Sequence, residues 1–388
     1  MQGVAAGTAR AAELLFANFY DSLYHFHMEN LKINEILSQP EKEGKYSFLA
    51  HEIKDSDLET TLLVLSSENA EDPERNIIIA VSPEYGSNLM QFKVGDKDIF
   101  YTDKELLKDR RWTGCYVLWP LPNRYDMNGT KGYEFEGQTV SLEDVERKEG
   151  NKPLIHGLVD DQVWQYEQPE VTDEGVSMKT RIEITKDSPL YAHFPYESEL
   201  TLQYTVTKDG VEVTYTAVNR GEQNMPSTFA LHPYYKLLDG REGTRVRVPA
   251  RSIMEATEDL LPTGKLLNVE GTAYDLREPK PVKDMMFDDV WTDLEPGEDA
   301  YVEYADSKMR IRQKTTDDFT HVVLYTQKES DLGFICLEPQ TGSTNSINLD
   351  NQAKKQDDEQ LKHAAHLIVV PPGESHVGKV KFAVEMLG

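Results

Sequence analysis

Two stretches, Glu197 to Val206 and Val211 to Val218, alternate apolar and polar residues and are joined by Lys208-Asp209-Gly210. In the first, Leu202, Tyr204 and Val206 share one phase; in the second, Val211, Val213, Tyr215 and Ala217 do. A period of two places each set on one face of an extended strand. Asp-Gly between two such runs is a strong hairpin signal. A chain built on such a pair must bury one face of a sheet, and the rest of the sequence follows suit. Ile77–Val81 reads as a buried run, followed by Leu89–Val94 and Tyr116–Trp119. Further strands are expected at 177–184, 245–248, 300–304, 309–312, 321–325, 367–370 and 377–384. Helical periodicity is scarce, with a turn or two at Asp103–Asp109 and another at Asp358–Ala364. Many short strands separated by turn residues predict an all-β sandwich or barrel. No composition break or repeat divides the chain, so residues 28–388 read as a single β domain. Residues 1–27 read as an N-terminal extension outside that fold, with a short docked helix as the alternative. The polar run Lys354–Gln360 reads as a solvated loop.

Composition narrows the partners. The net charge is −27 over 388 residues, which repels nucleic-acid phosphates and anionic membrane surfaces. Two distant cysteines, Cys115 and Cys336, support neither a disulfide framework nor a cysteine-based zinc site. They fit a cytoplasmic location. No stretch reaches the 18 or so apolar residues that span a bilayer.

Chemistry concentrates in five places. Phe334–Leu337 is an apolar run ending on Glu338-Pro339, and because proline cannot donate to a ladder, the strand is expected to stop there or lie at an edge. Pro120-Leu121-Pro122-Asn123-Arg124-Tyr125 presents an Asn-Arg pair after a strand. His156-Gly157 precedes two aspartates and Trp164. His232 stands before Pro233, which biases it toward extended backbone, and Tyr234-Tyr235 follow. Asp288-Asp289 sits between Phe287 and Trp291. Each has a plain reading: an edge glutamate in solvent, a structural histidine, a capping Asp pair, an arginine paired with a surface acid. Together, a histidine and a glutamate on opposite sides of a small polar molecule make a general acid and base. Arginine and aspartate would orient hydroxyls, and Trp and Tyr faces suit a sugar ring. No nucleophile motif, phosphate-cradling loop or dinucleotide fingerprint is present. A zinc site of His156, His232 and a carboxylate is an alternative, without the close ligand spacing such sites usually show.

In this set and order, Asn123-Arg124, His156-Gly157, His232-Pro233-Tyr234-Tyr235, Phe287-Asp288 and Cys336-Leu337-Glu338-Pro339-Gln340-Thr341-Gly342, the chain resembles the aldose 1-epimerase (galactose mutarotase) family from about Ile77 onward. Pro371-Pro372-Gly373-Glu374 before a last strand adds to the likeness. The resemblance implies a large galactose-mutarotase-type β-sandwich (supersandwich), no metal and no organic cofactor. It implies Glu338 as general base, His232 as general acid, His156 as second active-site histidine, and Arg124, Asn123, Asp288 and Tyr234 at the sugar. Three positions depart from it. Val323 stands where animal members have a substrate-contacting glutamine. Ser343-Thr344-Asn345-Ser346-Ile347-Asn348 replaces a common Pro-Asp-Ala-containing segment, and Trp291 replaces a usual phenylalanine.

The expected reaction is interconversion of the α and β anomers of a free aldohexose such as glucose or galactose. Glu338 takes the anomeric proton while His232, its basicity raised by the carboxylate, protonates the ring oxygen. The partner is a small-molecule sugar, and the protein is expected as a monomer or homodimer. Two alternatives compete. A hexose-6-phosphate 1-epimerase of the same fold would use Arg110-Arg111 near Arg124. A non-catalytic carbohydrate-binding protein would need no acid–base pair.

Overall fold

The computed structural model describes residues 46–108, 112–125, 131–145, 155–326 and 333–388, together with the backbone of the strand Lys32–Ser38. The expected N-terminal extension, residues 1–27, and Arg110-Arg111 lie outside the described residues.

The alternating pair forms the predicted hairpin. Ser198–Thr207 and Gly210–Asn219 run antiparallel from Ser198 opposite Asn219 to Thr207 opposite Gly210, leaving Lys208-Asp209 as a two-residue turn. Leu200, Leu202, Tyr204, Val206, Val211, Val213, Tyr215 and Ala217 are all at most 2% exposed, so period-two patterning alone sets the buried face. The hairpin lies inside a ten-stranded sheet, flanked by Val176–Ile184 on one side and Ser375–Met386 on the other.

A six-stranded antiparallel meander opens the fold, and its strands Tyr46–Asp55 and Thr60–Asn69 were not among those expected. Thr60–Asn69 is buried on both faces, which masks the period-two signal.

The third large sheet has seven strands, in the order Pro262–Asn268, Ala250–Ala256, Asp288–Leu294, His321–Tyr325, Phe334–Gln340, Ala230–Lys236 and Cys115–Leu118. All three sheets feed one core. Phe100 shows this directly: its ring lies 5.3 Å from Phe92 of the meander, 5.3 Å from Tyr235 of the seven-stranded sheet and 5.4 Å from Phe382 of the ten-stranded sheet, each edge-on. Edge-to-face contacts of this kind match the charge distribution of aromatic rings.

Two expectations are corrected. Pro339 neither ends its strand nor marks an edge, since Phe334–Gln340 continues past it and has neighbours on both sides. The proline is tolerated because the ladder to Ala230–Lys236 opens there. Pairs form at Ala230–Gln340 and Tyr234–Cys336 but not between them, where Pro233 and Pro339 both lie. The run 354–360 is not a loop either. Ser346–Gln356 is a helix, followed by the helix Glu359–Ala365. Asn348 and Asn351 are weak helix formers, and the first helix has just three apolar residues, Ile347, Leu349 and Ala353, all buried. The second helix carries a recognisable cap, with Asp358 Oδ1 accepting from the main-chain N–H groups of Gln360 and Leu361 at 3.0 and 2.9 Å.

Candidate active site

The site is a row of residues that the strand register lines up on one face of the seven-stranded sheet. Val290 is opposite Val323, Val323 is opposite Glu338, and His232 is opposite Tyr116. The Ala230–Gln340 and Tyr234–Cys336 pairs place His232 beside Glu338 across the opened ladder. The row divides in two. On the Val323 side, Val290, Val323 and Met254 lie under Leu349, Ala353, Leu361, Ala364 and Ala365 of the two helices. On the other side, Glu338, His232 and Tyr116 form the polar half.

Glu338 and His232 are in direct contact, with Oε1 3.2 Å from Nε2. Glu338 is 1% and His232 5% exposed. The expectation of two groups on opposite sides of a sugar therefore gives way to a side-by-side pair. Neighbouring positions on adjacent strands project their side chains the same way, which one strand's sequence does not reveal.

Around this pair the candidate residues converge. Asn123 donates its Nδ2–H to Glu338 Oε2 at 3.0 Å, so it meets the carboxylate. Arg124 Nη1 lies 3.2 Å from Asp288 Oδ2, both side chains 27% exposed. His156 packs edge-on to His232, ring centres 5.0 Å apart, and to Trp112 at 4.3 Å. Tyr234 stacks beside His232 at 4.9 Å. Two contacts of Tyr116 complete the cluster: its hydroxyl lies 3.3 Å from His156 Nδ1 and 3.5 Å from the Tyr234 hydroxyl.

Sequence reasoning missed Tyr116 as a site residue, placing it only in a strand. Its signal was available in principle, since it belongs to the strand that leads straight into Asn123-Arg124. Its facing neighbour His232 is 116 residues away and unseen until the register is known.

Backbone shape explains the short motifs. Asn123 has φ 57° and His156 φ 71°, values rare for residues with a side chain and best tolerated by Asn. Such strain costs about 1–3 kcal/mol each and gathers at functional sites. The two loops are joined by His156 N–H to Asn123 O at 3.0 Å and Leu158 N–H to Trp119 O at 2.9 Å. Gly157, at φ 78°, is required between them, because a Cβ would stand 2.6 Å from Trp119 O and 2.7 Å from its N.

Burial governs the electrostatics. It pushes the Glu338 carboxyl well above the usual carboxylate range; Asp288 adds to the rise, while the Asn123 hydrogen bond and the Arg124 charge oppose it. His232 is lowered to about 3, chiefly by the same desolvation. The expectation that Glu338 would raise His232 is overturned. Loss of hydration outweighs attraction when both partners leave water. The direction for the pair is clear: neither group carries a lone charge cheaply. Burial likewise holds Tyr116 and Tyr234 as neutral phenols.

The departures also find places. Val323 is covered by the helix pair. Trp291 is fully buried in the main core, with its Nε1–H donated to Tyr274 O at 3.0 Å. No three His, Cys, Asp or Glu side chains converge as metal donors among the described residues. No helix among them is long and apolar enough to cross a membrane.

Comparison with known proteins gives the geometry a family. The sequence pattern of the aldose 1-epimerase family matches residues 75–383. A maltose epimerase from Levilactobacillus brevis is 23% identical over 208 residues, 52% of this chain and 59% of that protein. The galactose mutarotase of Sus scrofa is 32% identical over 88 residues, 22% of this chain and 26% of that one. Each match thus spans less than two thirds of the relative's own length. Among solved structures, a galactose mutarotase-like protein from Clostridium acetobutylicum superposes with a TM-score of 0.68 at 18% identity, covering 91% of this chain and 99% of its own. The galactose 1-epimerase of Lactobacillus acidophilus gives 0.66 at 16% identity, covering 92% and 100%. Those two share the fold. With most of its length matching the family pattern and the motif residues gathered on one sheet face, this chain belongs to the aldose 1-epimerase family.

Proposed function

We propose that the protein is an aldose 1-epimerase acting on a free, unphosphorylated aldose such as glucose or galactose. The observation that carries this reading is the buried Glu338–His232 contact of 3.2 Å beside the Arg124–Asp288 pair. The two oxygens that exchange protons in mutarotation, the anomeric hydroxyl and the ring oxygen, are bonded to the same carbon. A base and an acid standing side by side can therefore reach both.

The pair holds one proton, on Glu338 at rest. Once it passes to His232 Nε2 across the 3.2 Å contact, Glu338 accepts the proton of the anomeric hydroxyl while His232 gives its proton to the ring oxygen, and the C1 to ring-oxygen bond breaks. The C1–C2 bond of the open aldehyde rotates. The ring hydroxyl then adds to the other carbonyl face as the two protons return. One proton enters the pair as another leaves, so its total charge is unchanged, which suits a site where isolated charge is costly. Proton transfers of this kind contribute about 10²–10⁴-fold each. Arg124 and Asp288 hold the remaining hydroxyls, so the opened sugar stays bound. The chemistry calls on neither metal nor organic cofactor.

A 6-phosphate substrate has less support. Arg124, the arginine of the site motif, is already paired with Asp288. Polarimetry on freshly dissolved glucose, galactose, maltose and the two hexose 6-phosphates tests the proposal. Acceleration confined to the neutral sugars is expected. Saturable binding without acceleration would mark a carbohydrate-binding protein, and preference for the 6-phosphates would replace the substrate assignment.

A further inference from the structure

Histidines that exchange protons are ordinarily aimed by a hydrogen bond at the second ring nitrogen. His232 Nδ1 has no hydrogen-bond partner among the described residues. Its imidazole nonetheless has to stay in line with Glu338, and the aromatic packing around it is the structural means. Tyr116, its cross-strand neighbour, lies with ring centres 4.8 Å apart and planes 22° apart. Tyr234, two residues along the strand of His232, lies at 4.9 Å and 20°. The tyrosine rings are themselves 6.0 Å apart, so the three centres close a triangle.

Tyr116 is the better fixed of the two. It is 1% exposed, and its hydroxyl sits between His156 Nδ1 and the Tyr234 hydroxyl at 3.3 and 3.5 Å. Its ring also lies 6.2 Å from that of Trp112, with planes 22° apart. A tyrosine ring also attracts a cation, so the neighbour that restrains the imidazole favours its protonated form during turnover.

We propose that Tyr116 is a positioning residue whose ring braces the His232 imidazole against Glu338, where Nδ1 has no hydrogen-bond partner among the described residues. The kinetic part of this proposal rests on the epimerase reading; the restraint itself does not. Tyr116→Phe keeps the ring and Tyr116→Leu removes it. Displacing a reacting group by even about 1 Å costs on the order of 100-fold. Tyr116→Leu is therefore expected to lower kcat about 10- to 100-fold with KM within about threefold, and Tyr116→Phe to restore kcat to within about threefold of wild type. A Leu variant with wild-type kcat would overturn the proposal, as would equal losses in both variants, which would assign the effect to the hydroxyl.

Side-chain NMR relaxation of His232 in the unliganded protein decides the restraint without any turnover. A rigid imidazole is expected in wild type and Tyr116→Phe, and a mobile one in Tyr116→Leu. A mobile imidazole in wild type would refute bracing outright, even if the Leu variant failed to fold. Should wild type accelerate no sugar, the epimerase reading falls, and the relaxation measurement still decides the role of Tyr116.

Discussion

At the scale of single residues, the buried pair makes two claims that can be measured. Replacing Glu338 by Gln keeps the shape and removes the base. Mutarotation is expected to fall about 10²–10⁴-fold, read by polarimetry. Stability should change in the opposite sense. The folded-state value of Glu338 is raised by burial, so the stabilisation linked to its proton is full below the unfolded value and lost as pH rises through the folded one. Glu338→Gln cannot ionise, so its melting temperature should exceed that of wild type increasingly toward alkaline pH. The second claim concerns the pH profile. His232, lowered to about 3, takes an extra proton only in strong acid. Glu338 loses its proton well above the ordinary carboxylate range. Between these steps the pair holds a constant proton count. The profile of kcat/KM should therefore run flat through the ordinary histidine value of about 6.5 and fall on the alkaline side. An acidic limb at that value would contradict the burial argument.

At the scale of elements, a glycine and a helix pair shape the site. Gly157→Ala drives a Cβ into the Trp119 backbone at φ 78°. A destabilisation of about 1–3 kcal/mol is expected, seen in denaturant titration, with a drop in kcat because His156 rides on the same turn. The helix pair decides what lies beside Glu338. Val323, directly opposite it, is sealed among Leu349, Leu361 and Ala365. Val323→Gln would bury an amide without a partner in that cluster. A loss of about 1–3 kcal/mol is expected, with no gain in turnover of galactose. A variant that gained galactose activity at unchanged stability would show this position open to the sugar.

At the scale of the whole molecule, the three large sheets share one core around Phe100, which touches a ring from each. Chemical unfolding followed by tryptophan fluorescence and by far-ultraviolet circular dichroism is therefore expected to give coincident single transitions. The hairpin at 198–219 was legible because its alternation and its Asp-Gly turn agree with each other. The motifs around Asn123, His156, His232, Asp288 and Glu338 were legible as a set, because each places polar groups where packing has no use for them. Strand Thr60–Asn69 was hidden by burial on both faces, and helix Ser346–Gln356 by asparagines that do not favour it. The path of Glu338 was misread because Pro339 was taken as a stop, whereas the neighbouring strand supplies its own proline at the same gap. Local pattern by itself determined that the chain makes sheets and which residue types carry chemistry, since both depend on near neighbours in the sequence. Strand register and depth of burial, which depend on residues a hundred or more positions apart, decided that His232 touches Glu338, that Tyr116 lies against both histidines, and that desolvation rather than charge attraction sets their protons.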